Sequence, residues 1–309
     1  MGVEVGHPVL APKLVATAKW DGVKGGQNAF VDKTVLGGLT MQFAQDLSYS
    51  DYAGRPAPRG SYYNRPMSVG KSEADLKPKM EYLLRAFAAK EETGMAKRLF
   101  TEFLKPQRQV TLWTDPDFDR AAANHENIND FCRAAWGGPS ASGGIPPAPG
   151  KKRIHQALEA VNWDASKLLI PIEDLGVPAF NRGSYVGWRG ATGDWVNGLK
   201  LMVDGVQYVY VILTYYNTYW HSYARRHNLI NQKKYNINLK FIFYDVFGLD
   251  DQDLIKLGAE EEIEDHEDKF AMTKQMEGIT AWWQLQHQYG YAPLVTRFVV
   301  EKSYSAVIG

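Results

Sequence analysis

Asp245 lies near the end of an almost wholly apolar segment, LKFIFYDVF (239–247). In a β-strand alternate side chains share a face, so Asp245 shares its face with Phe241 and Phe243. A carboxylate on a core-facing side is costly unless it is paired, hydrogen-bonded or neutralised by a raised pKa, and such carboxylates are frequent at functional sites. The more ordinary interpretation is that the chain has left the sheet by Asp245, whose side chain then caps the turn at Gly248. Asp245 is therefore a candidate catalytic residue with a structural alternative.

Three more carboxylates follow within GLDDQDL (248–254). Asp250 is placed to cap the N-terminus of a helix, and Asp253 is placed to complete a capping box. Negative charge at that end also suits the helix dipole. The spacing differs from the D-x-D-x-D-G pattern of a calcium loop, so a structural role is favoured and no metal or other cofactor is predicted.

His125 and Glu126 form a second candidate site. If one helix runs through them, His125 falls on its apolar stripe and Glu126 points about 100° away. The zinc-protease pattern H-E-x-x-H requires histidine at position 129, where the chain has Asn129, so that interpretation fails. A buried, hydrogen-bonded histidine is favoured, and an acid–base histidine is the alternative.

Two other residues complete the candidates for catalysis. His287 is four residues from Trp283 and shares a helical face with it, which indicates either ordinary packing or an aromatic pocket with a titratable group. Asp46 is a candidate because a glycosidase needs two carboxylates about 5 to 9.5 Å apart. Asp245 can be one of them, and Glu126 or Asp46 the other.

The segments that must position these residues differ between the two halves of the chain. Helical spacing predicts helices in the N-terminal half, and alternation after about residue 195 predicts strands. Asp115 and Pro116 mark a helix N-terminus, and Gly94 marks a break between two helices. The expected helices are a short one near 39–47, a pair within 73–104, and further ones over 116–136, 152–161 and 277–291; the expected strands are 206–220, 235–247 and 292–304, with a hairpin loop over 224–236.

This pattern predicts an α+β fold with a helical N-terminal half, a C-terminal antiparallel sheet and one helix returning between strands. The expected division is an extended arm over 1–38, a mostly helical region over 39–136, a Gly/Pro linker over 137–150 and a sheet region over 151–309 packed on the helices.

Composition limits the function classes. The formal net charge is zero, from 35 basic and 35 acidic residues, so nothing global favours nucleic acid as a partner. The longest apolar runs are far too short for a transmembrane segment, and the first residues lack the pattern of a signal peptide. Cys132 is the only cysteine, so folding needs no oxidising compartment.

Four stretches in this order resemble a bacterial family of domains of unknown function, number 3289 in that series. The stretches are LTMQFAQDLSYSDY, DFDRAAANHENINDF, LKFIFYDVFGLDDQDL and AWWQLQHQYGYAPLVTRFVVE, which together span about 39–302. Members of that family are often fused to, or encoded beside, spike and tip components of type VI secretion. The resemblance implies an interbacterial effector, with spike or tip components and an immunity protein as partners, and it supplies no catalytic residues.

The leading hypothesis is a secreted antibacterial effector that acts on the cell envelope of a competitor, with hydrolysis of a peptidoglycan bond as its chemistry. It is expected to be made in the cytoplasm, to be exported without a cleaved signal peptide and to act in the periplasm. The alternatives are a non-enzymatic adaptor or binding module of a secretion system, and a toxin that acts on membranes. A pocket that contains Asp245 favours the enzyme, and a flat aromatic patch favours the adaptor.

Overall fold

The structure is a computed structural model. It describes residues 12–23, 28–35, 37–49, 56–58, 68–106, 108–137, 152–184, 191–225, 228–258 and 270–308. Apart from Gly137, the predicted linker over 137–150 therefore lies outside the described residues, and so do residues 50–52 of the first family-like stretch.

A five-stranded sheet forms the centre of the described fold, in the order β1-β5-β6-β7-β4. Neighbouring strands are antiparallel except β4 and β7, which are parallel. A separate antiparallel pair consists of β2 and β3. The strands are β1 (Lys13–Lys19), β2 (Asn28–Asp32), β3 (Leu39–Phe43), β4 (Thr111–Thr114), β5 (Tyr208–Arg225), β6 (Asn228–Phe247) and β7 (Leu294–Ile308).

The sheet has a hydrophobic core on each face, because apolar side chains occupy both sets of alternate positions in its central strands. On β6, Phe241, Phe243 and Phe247 face the larger core, which the helices complete. Ile242 and Tyr244 face a smaller core that Leu39, Met41 and Phe43 of β3 close from the other side. A polar residue in this doubly covered strand is therefore conspicuous.

The helices lie mainly in the middle of the chain, and with the sheet they confirm the predicted α+β class. Strands β5, β6 and β7 are neighbours, as the alternation predicts. No helix in the described part of the chain is long and apolar enough to cross a membrane. The helices are α1 (Glu73–Phe87), α2 (Met95–Phe103), α3 (Pro116–Asn124), α4 (Glu126–Trp136), α5 (Arg153–Ala160), α6 (Leu199–Met202), α7 (Asp251–Leu257) and α8 (Phe270–Gln288).

The prediction of a short helix near 39–47 is wrong. Residues 39–43 form strand β3, whose burial alternates strictly, and only Gln45–Leu47 turn as a short 3₁₀-helix. Leu39 and Phe43 are four residues apart, a spacing that fits one helical face and equally fits one face of a strand. Met41, also buried, is the residue that distinguishes the two.

The single helix expected over 116–136 is two helices that meet at His125, whose backbone is extended (φ −77°, ψ 133°). The start is as predicted, since Asp115 caps the N-terminus and Pro116 is the first helical residue. The Asn129 amide donates to the Ala123 carbonyl, which satisfies an acceptor that the break leaves open. The junction carries no Gly or Pro, so residue type gives no sign of it.

The hairpin loop expected over 224–236 is also wrong, because β5 continues to Arg225 and β6 begins at Asn228. Polar and basic residues pair there as regularly as apolar ones, since the ladder bonds need only backbone groups.

The predicted division of the chain stays a prediction. Two strand pairs connect its regions: β1, within 1–38, pairs with β5, and β4, within 39–136, pairs with β7.

Candidate active site

Asp245 lies within β6, and the strand continues to Phe247. It stands opposite Thr296 of β7, and only 6 % of its surface is exposed. The interpretation of Asp245 as a turn cap outside the sheet is therefore wrong. Asp245 is a buried carboxyl on the face of the larger core, as period-two counting places it.

Gln207 is the polar neighbour of Asp245 on the opposite side of β6. Because Tyr208 pairs with Tyr244, the next step of the β5–β6 register brings Gln207 across from Asp245. The backbone N–H of Gln207 donates to the Tyr244 carbonyl at 2.9 Å, which fixes Gln207 in this register. Two polar side chains thus replace apolar ones at the same end of two neighbouring strands.

Asp46 joins this pair from a distant part of the chain. It lies in the 3₁₀-turn that follows β3, and its carboxylate Oδ2 accepts a hydrogen bond from Gln207 Nε2 at 2.5 Å. Gln286 of α8 fixes the turn, because its fully buried amide donates to the carbonyls of Asp46 (2.9 Å) and Ser48 (2.7 Å). Helix α8 therefore holds the backbone of Asp46, and Gln207, the residue just before β5, holds its side chain.

Gly248, the first residue after β6, makes the close approach possible. A Cβ at this position would lie 2.3 Å from the Asp46 carbonyl oxygen and 2.9 Å from Pro293 Cβ. Backbone oxygen cannot yield by rotation as a side chain can. Glycine at 248 is thus a condition for placing Asp46 beside the end of β6.

Both carboxyls have raised pKa values, and burial is the largest cause in each, but the neighbouring charges and hydrogen bonds differ. Burial, reinforced by the charge of Asp46, raises the pKa of Asp245 well above the ordinary range, and hydrogen bonds from the Val246 backbone and Gln207 only partly oppose the rise. Burial raises the pKa of Asp46 to about 7, against the Gln207 hydrogen bond and with the help of the Asp253 and Asp250 charges. Asp245 therefore holds its proton more tightly than an ordinary carboxyl, while Asp46 titrates at about 7.

These residues line a cleft with a cavity volume of about 1440 Å³. Its walls come from several parts of the chain and include the rings of Trp20, Phe87, Trp195 and Trp282. The ring of Trp20 is about half exposed, at 48 %. A concave site with aromatic walls and a few convergent polar groups is typical of a ligand-binding pocket.

The N-terminus of α7 supplies one acidic wall of the cleft. Asp250 caps that helix and Asp253 completes a reciprocal capping box, as the sequence predicts. Their role is structural, but their charges also help to raise the pKa of Asp46. Lys200 lies on another wall, where it is paired with Asp204 and lies over the Trp195 ring.

Two buried polar atoms of the cleft residues have no hydrogen-bond partner among the described residues. They are Oδ1 of Asp46, an acceptor, and Nε1 of Trp282, a donor. Buried polar groups in proteins are normally satisfied, so each such atom calls for an explanation. One acceptor and one donor in a single cleft match the hydrogen-bonding needs of a hydroxyl-rich ligand.

His125 and Glu126 lie at the junction of α3 and α4 and do not line this cleft. His125 is buried, and its Nε2 is 2.9 Å from Asp194 Oδ2, so the predicted hydrogen-bonded histidine is confirmed. Asp194 also accepts from the Arg182 backbone N–H, which joins this junction to a later loop. Glu126 is 56 % exposed and pairs with the Arg182 side chain.

His287 lies on α8, where it is 1 % exposed. Its Nε2 is 2.8 Å from the Leu249 carbonyl, and its ring lies 4.9 Å from that of Trp283. The histidine thus holds the chain just beyond β6 and does not line the cleft. Of the five residues proposed from sequence, the structure brings Asp245 and Asp46 together.

Gln207 is the residue of this site that sequence reasoning missed. It lies at the edge of the predicted strand 206–220, on the same alternation as Val209, Val211 and Leu213. A polar residue on that face is the same signal that singled out Asp245. The hairpin register would have connected the two, but it requires knowledge of the bulge between Leu213 and Tyr215.

No group of three or more His, Cys, Asp and Glu side chains in the described ranges is arranged to hold a metal ion. Comparison of the chain with protein-family models, curated proteins and solved structures found no match. The resemblance to the family of unknown function therefore stays a prediction.

Proposed function

We propose that this protein is an acid–base hydrolase that cleaves a glycosidic bond in the peptidoglycan of a bacterial cell envelope. The observation that carries the proposal is the pair of carboxyls, Asp46 and Asp245, that lie beside Gln207 in a large aromatic-walled cleft. Glycoside hydrolysis requires one carboxylic acid that gives a proton and one carboxylate that attacks or activates water. The different environments of the two residues supply one of each.

Asp245 takes the role of the acid. Burial raises its pKa well above the ordinary range, and it gives its proton to the oxygen of the leaving sugar as the glycosidic bond breaks. Asp46 takes the role of the nucleophile, since it is less buried and its pKa lies about 7. Its carboxylate bonds to the anomeric carbon, and the resulting ester is hydrolysed by water whose proton passes to Asp245.

The closeness of both carboxyls to Gln207 favours this two-step route with retention of configuration. Asp46 accepts from the side-chain NH₂ group of Gln207, and Asp245 stands across from Gln207 in the strand register, so the two carboxyls are neighbours on one side chain. Retaining enzymes hold their carboxyls about 5–5.5 Å apart, and inverting enzymes need a wider gap for a water molecule. The two unpartnered atoms of Asp46 and Trp282 are suited to sugar hydroxyls.

The biological setting that we propose is the one that the family resemblance implies: an interbacterial effector, with spike or tip components and an immunity protein as partners. The resemblance is its support, as the site chemistry is the support for the hydrolase. Export without a cleaved signal peptide and action in the periplasm of a competitor belong to the same proposal. Expression in the periplasm and in the cytoplasm of a sensitive bacterium tests it, since an envelope hydrolase lyses cells only from the periplasm.

The chemistry is tested with purified protein and isolated peptidoglycan. The wild-type chain should release soluble glycan fragments, and NMR should show retention at the new reducing end. Asp46→Asn and Asp245→Asn should each lower the rate by about 10²–10⁴-fold, the range expected for loss of acid–base catalysis. Glu126→Gln is the matched control, because it neutralises an exposed carboxylate outside the cleft, and it should retain full activity. Wild-type protein that releases no fragments, or full activity in both aspartate variants, would overturn the hydrolase proposal.

A further inference from the structure

Gln207 is held more firmly than its hydrogen bond to Asp46 alone requires. Its backbone N–H donates to Tyr244 and its carbonyl accepts from Trp20, both at 2.9 Å. Its side-chain oxygen faces the Ala44 N–H at 3.5 Å, and the side chain is only 4 % exposed. Strand β6, the end of β1 and the chain after β3 thus all fix this one residue.

The contact with Ala44 also fixes the direction of the amide. An N–H on the oxygen side leaves the NH₂ group on the side of the carboxyls, where it donates to Asp46 Oδ2. An amide in this orientation is a donor only, and a donor stabilises the ionised form of a carboxyl over the neutral form. Asp46 receives this bond directly, while Asp245 is enclosed by β5 and β7.

We propose that Gln207 is a positioning residue that assigns the two catalytic roles, keeping the charge on Asp46 and leaving the proton on Asp245. This inference rests on the proposed hydrolase function. Two carboxyls that share a site compete for one proton, and some asymmetry must decide which of them keeps it. The fixed NH₂ group of Gln207 and the deeper burial of Asp245 both favour the same assignment.

The other charged groups around the pair do not provide this asymmetry. Helix α7 presents Asp250, Asp253 and Lys256 to the cleft, and the chain between α6 and β5 presents Asp204, which is paired with Lys200 of α6. The acidic groups among them raise both carboxyl pKa values, since Asp250 and Asp253 act on Asp46 and Asp204 acts on Asp245. Gln207 is a neutral donor that acts unequally: its amide donates directly to Asp46 and is the largest cause that lowers the Asp46 pKa, whereas it is the smallest of the causes that act on Asp245.

The test is Gln207→Met, which keeps the length of the side chain and removes both amide groups. In ¹³C carboxyl NMR of the unliganded protein, the midpoint of Asp46 should rise by about one to two pH units, the size expected for a lost hydrogen bond to a charged group. The ascending limb of the pH–activity profile should move upward with it, so that activity lost at pH 6 is largely regained at pH 9.

Gln284→Met is the matched control. Gln284 is also a buried glutamine, but it bonds to Val69 and Gly70 outside the cleft. Its replacement should lower the melting temperature and leave the Asp46 midpoint and the pH profile in place. An Asp46 midpoint in Gln207→Met within 0.3 unit (roughly the error of such a titration) of wild type would overturn the assignment. A wild-type chain without hydrolase activity overturns the proposed function alone, since the titration needs no substrate.

Discussion

Burial decides how Asp245 titrates, and this has a consequence for stability at the scale of one residue. A carboxyl whose pKa is raised on folding binds its proton more tightly in the folded chain than in the unfolded chain. Its contribution to stability is complete below the unfolded pKa of about 3.9 and decreases as the pH rises toward the folded pKa. Asp245 therefore destabilises the folded protein increasingly between weakly acidic and alkaline pH.

The substitution Asp245→Asn removes this dependence, because asparagine keeps the shape and cannot ionise. We expect the melting temperature of the variant to exceed that of wild type at pH 8 and to approach it near pH 4. Thermal unfolding followed by circular dichroism at pH 4, 6 and 8 measures the difference. A variant that is less stable than wild type at pH 8 would mean that the folded state uses the ionised form.

Asp46 gives the second prediction at this scale, for activity. Its carboxylate must be ionised to act as nucleophile, and burial raises its pKa to about 7. The rate should thus rise with pH through about 7, with Asp245, whose pKa burial raises well above the ordinary range, as the acid. Measured kcat/KM from pH 5 to 9 checks this, and a limb with its midpoint below pH 5 would assign the reaction to a carboxyl with an ordinary pKa.

At the scale of elements, the turn after β6 is where the site is most easily disturbed. The substitution Gly248→Ala places a methyl group 2.3 Å from the Asp46 carbonyl oxygen, so the 3₁₀-turn that carries Asp46 must move. We expect activity to fall by at least 10²-fold, because displacements of about 1 Å at a catalytic group have effects of that size. Gly205→Ala is the control for a methyl group added to the wall of the cleft: a Cβ there has open space and displaces no backbone, so its effect in the same assay should be much smaller than that of Gly248→Ala.

The anchor of the β2–β3 pair is the other element with a clear energetic role. Asp32, 1 % exposed, accepts from Thr34, from the Tyr244 hydroxyl and from Arg297, the last two at 2.7 Å. Burial alone would raise the pKa of Asp32, but these hydrogen bonds outweigh it and lower the pKa. This ion pair thus connects the pair of strands to β6 and β7.

Removal of one partner leaves the other buried and uncompensated. Asp32→Ala should lower the free energy of unfolding by about 3–5 kcal/mol, measured by urea denaturation. Asp174→Ala is the matched control, because Asp174 pairs with Arg153 but is 65 % exposed, and it should cost at most about 1 kcal/mol. Equal losses in the two variants would contradict the anchoring role of Asp32.

At the scale of the whole molecule, the sequence predicts what local chemistry controls. Alternation identifies β5, β6 and β7, and cap residues identify the starts of α3 and α7, because these signals act within a few residues. The position of Asp245 on its face follows from the same local rule. Leu39 and Phe43 mislead only because their spacing satisfies both periods.

The site itself depends on distances along the chain that no local rule covers. Asp46 lies near Asp245 because Gln286 on α8 hydrogen-bonds to its backbone and because Gly248 leaves room for that backbone. The sequence gives no sign that these residues meet. The role of Gln207 can be predicted only when the exact strand register is known. The break at His125 can be predicted only when the segment that brings Asp194 to the histidine is known. Partners that are remote in sequence are selected by the completed packing.

Because the carboxyl pair is assembled from distant parts of the chain, the site exists only when the whole fold is complete. Asp46, Gln207, Asp245 and Gln286 come from four separate segments, so a chain that lacks any one of their contacts lacks the pair as a whole. Under the proposed chemistry, unfolded or partly folded chains are inert, and heat should abolish activity at the same temperature as structure. In a producing cell, a newly made chain would then have no hydrolase activity until the last of these four segments has packed into place.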